Sequence, residues 1–223
     1  MHVVANLCIV FVLVGLSVAV FTVDLSHVFL TVSAPVYNGN RDRSYVSLVI
    51  NVHDGGEYIE PIMKILEERG VQATFFINGV WTKSNMALVE KMGKAFELGN
   101  HGFAHENISS LREADQRARI RNTHDLVKGI TGTGMNLFSP PLGGFSRNTL
   151  RAAQSLGYTT IMWSKDASSK NSDSIFANAT RDVRGGDLIL LQPSGHTVDA
   201  LPKVLDYYIS NGLSVVKVSQ NIG

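Results

Sequence analysis

From Ser44 onward two apolar patterns alternate along the chain. Short runs rich in β-branched and aromatic residues read as strands: YVSLVINV, QATFFIN, KAFELGN, NLFSP, TTIMWSK, DLILLQ and LSVVKVS. Between them, YIEPIMKILEERG, MALVEKMGK, LREADQRARIRNTHDLVKG, SRNTLRAAQSLG and DALPKVLDYYISNG repeat apolar positions at helical spacing. Three of these segments end on Gly70, Gly157 and Gly212, and glycine suits the left-handed residue that closes a helix. Strands alternating with helices predict βαβ units and a mostly parallel sheet. Such a sheet either curls into a small, incomplete β/α barrel or lies open and doubly wound. No phosphate-cradling glycine fingerprint follows any strand, which counts against a nucleotide-binding open sheet.

The N-terminal pattern is different. Val3 to Val23 carry no charged side chain, and as a helix this run would reach about 30 Å, one hydrocarbon thickness. No Lys or Arg precedes it, and the small-residue cleavage candidate, VSA at 32–34, is followed by Pro35. Residues 1–23 therefore read as a membrane anchor rather than a cleaved signal, with a buried core helix as a third reading. Residues 24–43 gain Pro, Asn and Gly and read as a linker, leaving 44–220 as the folded domain.

Composition narrows the function. The net charge is +1 and the charges are interspersed, so no basic field invites nucleic acid. The single cysteine, Cys8, excludes a disulfide within the chain.

In parallel sheets the chemistry sits just past the strand ends. Those positions hold Asn51, His53 and Asp54; His101 and His105; Ser139; Asp166; and Gln192 with His196. His124 falls inside a helical pattern and reads as a surface residue. The HGFAH spacing turns two imidazoles the same way, as a grip on Zn²⁺ or a similar divalent metal requires. A third ligand, an Asp or Glu, would complete a catalytic site with one open position.

The ordered segments GVQATFFINGVW, ELGNHGFAHENIS, SPPLGGFS, MWSKD and GDLILLQPSGHTVDALPKVLDYYISNGLSVVKVS resemble the motifs of NodB-type polysaccharide deacetylases, carbohydrate esterase family 4. The resemblance covers nearly all of 44–220. It implies a distorted (β/α)7 barrel, a metal held by one Asp and two His, and an N-acetylated polysaccharide substrate such as peptidoglycan or chitin. O-acetyl xylan is a further substrate of such enzymes. The motif INV-x-x-GGEYI is similar to a divergent, sporulation-associated branch of the family.

The departures from that pattern are specific. Aligned without gaps, the family's base and metal-binding Asp become Asn51 and Val52. A two-residue shift, roughly 6–7 Å along a strand, would instead place His53 as base and Asp54 as metal ligand beside His101 and His105. Ser139 stands where an Arg orients the base. Asp166 is kept as a tuning carboxylate, but the Asp-Trp pair after it is Ser169 and Lys170. Gln192 replaces the general acid, and His196, four residues on, is the candidate substitute. Ser139 and Gln192 are thus expected to contact substrate.

Two functions remain open at this point: a metal-dependent deacetylase with a rearranged site, and a non-catalytic descendant that binds glycan or a protein partner. A glycan substrate implies a domain outside the cytoplasm, held by the N-terminal helix or secreted if that helix is cleaved. Arg41 and Arg43 alone would argue for the opposite orientation.

Overall fold

In β1 (Tyr45–Val52) every residue after the first is buried, as a strand covered on both faces requires. The computed structural model describes residues 32–223, and β1 lies at the centre of its sheet. The other strands are β2 (Thr74–Ile77), β3 (Glu97–Asn100), β4 (Leu137–Phe138), β5 (Thr159–Thr160), β6 (Lys165–Asp166), β7 (Leu188–Leu191) and β8 (Ser214–Val215). Their order is β5-β4-β3-β2-β1-β7-β6, all neighbours parallel, with β8 beside the start of β1.

The sheet curls into a parallel half-barrel. Its two edges, β5 and β6, come from one run, residues 159–166, so one segment serves both sides of a seam. The expected (β/α)7 barrel is therefore present as an α/β curl with short edges. Helices α1 (Ile59–Glu68), α2 (Gly79–Ser84), α3 (Met86–Ala95), α4 (Glu113–Thr131), α5 (Arg147–Ser155), α6 (Ser172–Thr180), α7 (Gly195–Ser210) and α8 (Val218–Ile222) connect and cover the strands.

The period-two alternation of strands separates two cores. Val46, Leu48, Ile50 and Val52 pack with the helix layer, whereas Val49 joins Phe76, Leu137, Leu188 and Leu190 inside the curl. Gly99 belongs to that inner face: a side-chain carbon there would fall 2.4 Å from the Phe76 ring. Continuing the same alternation by two residues carries Asn51, His101, Ser139 and Gln192 to the inner face at the strands' C-terminal ends.

Three expectations change. The linker over 24–43 is in part docked: Val36 pairs with Ile161, Asn38 with Asp187, and Gly39 N–H donates to the Gly186 carbonyl at 2.7 Å. Arg41 closes this strap on Asp187 at 2.7 Å. The run LSVVKVS is strand only at Ser214–Val215, because the Thr74 hydroxyl accepts the Val218 N–H at 2.9 Å and starts α8. Helices α2 and α6 were not anticipated, although Asn78 and Asn171 cap them with side-chain oxygens that accept backbone N–H groups. Gly70, Gly157 and Gly212 do adopt positive φ, at 62°, 77° and 72°. The proposed anchor, 1–23, lies outside the described residues. Among the described residues no helix is long and apolar enough to cross a membrane.

Candidate metal centre

His101 follows β3 directly and is buried, 1% exposed. Its Nδ1 lies 2.7 Å from the Ser139 carbonyl, which can only accept, so Nδ1 carries the hydrogen and Nε2 offers a lone pair. Burial pushes its pKa down to about 3, against the pull of the Ser139 hydrogen bond and with help from His105 and His53. His105 is also lowered, first by burial and then by His53. Both rings are held neutral, the state a metal ligand needs.

His53 completes the group. Its ring stacks on His105 with centroids 3.5 Å apart and planes 10° from parallel; His101 lies 5.9 Å from His105 and 6.4 Å from His53. One nitrogen from each of the three falls within 4.8 Å of the others. Among the described residues, the buried Nδ1 of His53, Oδ1 of Asn51 and hydroxyl of Ser139 have no hydrogen-bond partner. Unmatched buried polar atoms are costly unless something meets them. Three converging imidazoles with a spare buried nitrogen suit Zn²⁺ or a similar divalent ion.

Asp54 lies outside this group. The chain turns after β1 through Gly55, at φ 64°, and the Asp54 side chain is 72% exposed, with a carboxylate oxygen 3.5 Å from His53 Nε2. The residue expected as base, His53, thus sits with the histidine pair, and the residue expected as ligand faces solvent.

A cavity of about 150 Å³ opens beside His101 and His105, walled by Asn51, Trp163, Asp166 and Gln192. Asp166 is the one carboxylate on that wall, and its Oδ1 accepts from the Ser168 N–H at 3.0 Å and from the Ser168 hydroxyl. Ser139 contributes its carbonyl to His101 rather than its hydroxyl to the cavity. His196 is exposed and lines a neighbouring cleft with Asp54, Lys170 and Gln192, away from the histidine cluster. Sequence reading missed Trp163 and Leu142 as cavity walls. Leu142 is 62% exposed at φ 58°, a conformation unfavourable for leucine that nothing in its residue type announces.

The curled parallel sheet, with a histidine cluster at the C-terminal ends of its strands, defines an incomplete β/α-barrel protein with its candidate site at the strand ends. Residues 38–161 match the family model for polysaccharide deacetylase, and the chain belongs to that family. It is 29% identical over 190 residues to the uncharacterised protein YlxY of Bacillus subtilis, covering 83% of this chain and 60% of YlxY. A peptidoglycan-N-acetylglucosamine deacetylase of Bacillus cereus is 26% identical over 192 residues, 82% of this chain and 70% of that protein. Among solved structures, a Bacillus anthracis pseudoenzyme of carbohydrate esterase family 4 superposes with a TM-score of 0.82 at 28% identity, covering 85% of this chain and 69% of that one. A mutant of a pseudoenzyme bearing the same protein name is described as having restored enzymatic activity.

Proposed function

We propose that this domain is a metal-dependent deacetylase that removes N-acetyl groups from cell-wall glycan through a divergent site. One observation carries the reading: His101 and His105 line a cavity that also holds a carboxylate, and His53 brings a third imidazole nitrogen within 4.8 Å of theirs. These histidines would hold the ion. When bound, it supplies polarisation of the acetyl carbonyl and acidification of the attacking water. Asp166 is the group on the cavity wall able to take a proton, and its bonds to Ser168 keep the carboxylate fixed. Trp163 offers an aromatic face for the sugar ring, and Asn51 and Gln192 offer amides to its acetamido and hydroxyl groups. A substrate of this kind places the domain outside the cytoplasm; protease accessibility in intact cells tests that.

A second reading, glycan binding without hydrolysis, draws on Asn51 and Gln192, since carboxamides neither accept nor release a proton near neutral pH. The two part on one assay. Zinc-loaded protein is expected to release acetate from N-acetylglucosamine oligomers or peptidoglycan fragments, and Asp166→Asn to slow release by about 10²–10⁴-fold. Metal bound but no acetate from either substrate would leave binding as the function.

A further inference from the structure

The loop that carries His101 and His105 has no regular secondary structure, yet it is fixed from behind by one buried amide. Asn100 ends β3 and is fully buried. Strand alternation turns its side chain to the helix layer while His101 faces the cavity. Its Oδ1 accepts the Gly102 N–H at 2.9 Å. Its Nδ2 donates to the Ile120 carbonyl of α4 at 2.8 Å and to the Tyr158 hydroxyl at 3.2 Å. That hydroxyl is 2.6 Å from Nδ1 of His124, so His124 is half-buried in a network rather than the free surface residue its position suggested. The Gly102 carbonyl is held as well, by the Thr123 hydroxyl at 2.8 Å and the Gly79 N–H at 3.1 Å. Both backbone polar atoms of Gly102, which lies between the two histidines, are thereby tied down, at a φ of 68°.

We propose that Asn100 is a positioning residue that sets the convergence of His101 and His105 by clamping Gly102 to α4. The proposal rests on the reading of the histidines as metal ligands. Ligand rings must be held within about 0.5 Å by packing and outer hydrogen bonds, and among the described residues the Gly102 N–H goes to no other side-chain oxygen. An apolar residue at position 100 would leave that N–H buried without a partner and free the loop to shift.

Two readouts test the clamp. Zinc titration of Asn100→Ala is expected to show affinity about 10–100-fold below the parent, the usual cost of losing an outer partner of a ligand. Asn100→Asp keeps an acceptor for Gly102 but donates nothing to Ile120, and should recover part of the affinity. Val127→Ala, a core truncation elsewhere on α4, lowers thermal stability and should leave affinity unchanged. In metal-free protein, amide exchange at Gly102 should accelerate in Asn100→Ala and not in Val127→Ala. Parent-like affinity and exchange in folded Asn100→Ala would overturn the proposal, as would equal losses in Val127→Ala. If the parent itself binds no zinc while the exchange difference holds, the clamp stands and the metal reading fails.

Discussion

His105→Ala is expected to bind Zn²⁺ at least about 100-fold more weakly than the parent, beyond the roughly 10–100-fold that loss of an outer-shell partner costs. His105 is the informative choice because it is the exposed member of the cluster. Its truncation removes one nitrogen donor and the stacking surface for His53, and leaves no buried hole. Metal-free thermal stability should therefore stay near that of the parent, which separates a lost ligand from a damaged fold. His101→Ala should lose the ion too, but it also vacates a buried site and deprives the Ser139 carbonyl of its donor. Asp54→Ala, by contrast, is expected to retain metal, since that side chain is outside the converging group. Isothermal titration of the variants decides the ligand set. Unchanged affinity in His105→Ala, or loss in Asp54→Ala equal to it, would sink the three-histidine assignment.

The second large effect falls on folding. Asp187→Ala should cost about 3 kcal/mol, the lower end of what breaking a buried ion pair costs. Asp187 is 3% exposed and receives Arg41 at 2.7 Å, the Ser164 hydroxyl at 2.8 Å and the Arg184 N–H at 3.0 Å. Arg41 is 32% exposed and can regain water, which keeps the cost from being larger. Burial alone would raise the Asp187 pKa, but the bonds from Arg184, Arg41 and Ser164 outweigh it and hold the carboxyl below its ordinary 3.8. A depressed carboxyl pKa stabilises the fold above the unfolded value and loses that contribution as pH falls through the folded one. Urea unfolding at neutral pH and at pH values below the ordinary carboxyl range should show the parent losing this increment on acidification. Asp187→Asn should start lower at neutral pH and show a shallower fall; an acid profile identical to the parent would contradict the account.

Much of the fold is legible in the sequence because it depends on local periodicity. The apolar run of β1, the helical spacing of α1, α3, α4 and α5, and the closing glycines are written within a few residues of where they act. What could not be read depends on partners far along the chain. The strap at 36–41 is rich in Asn and Gly and follows Pro35, like a linker, until its bonds to residues near 161 and 186 are known. The C-terminal run has strand composition, but a hydroxyl from β2 turns it into a helix. The site divides in the same way. The HGFAH spacing brings two imidazoles to one strand end, as expected, whereas which of His53 and Asp54 joins them depends on how the chain turns at Gly55, and spacing says nothing of that. Asn100 looks like any polar strand end; its role emerges only with α4 and Tyr158 packed over it.

The seam of the half-barrel bears on how copies of this protein coexist. An open sheet edge is a template on which another chain can add a strand. Here each terminal strand is two residues long, and the strap at Val36 covers the run that follows β5. Among the described residues a neighbouring molecule therefore finds almost no ladder of unpaired amides to extend, so the cavity at one end of the strands does not come with an invitation to edge-to-edge aggregation along them.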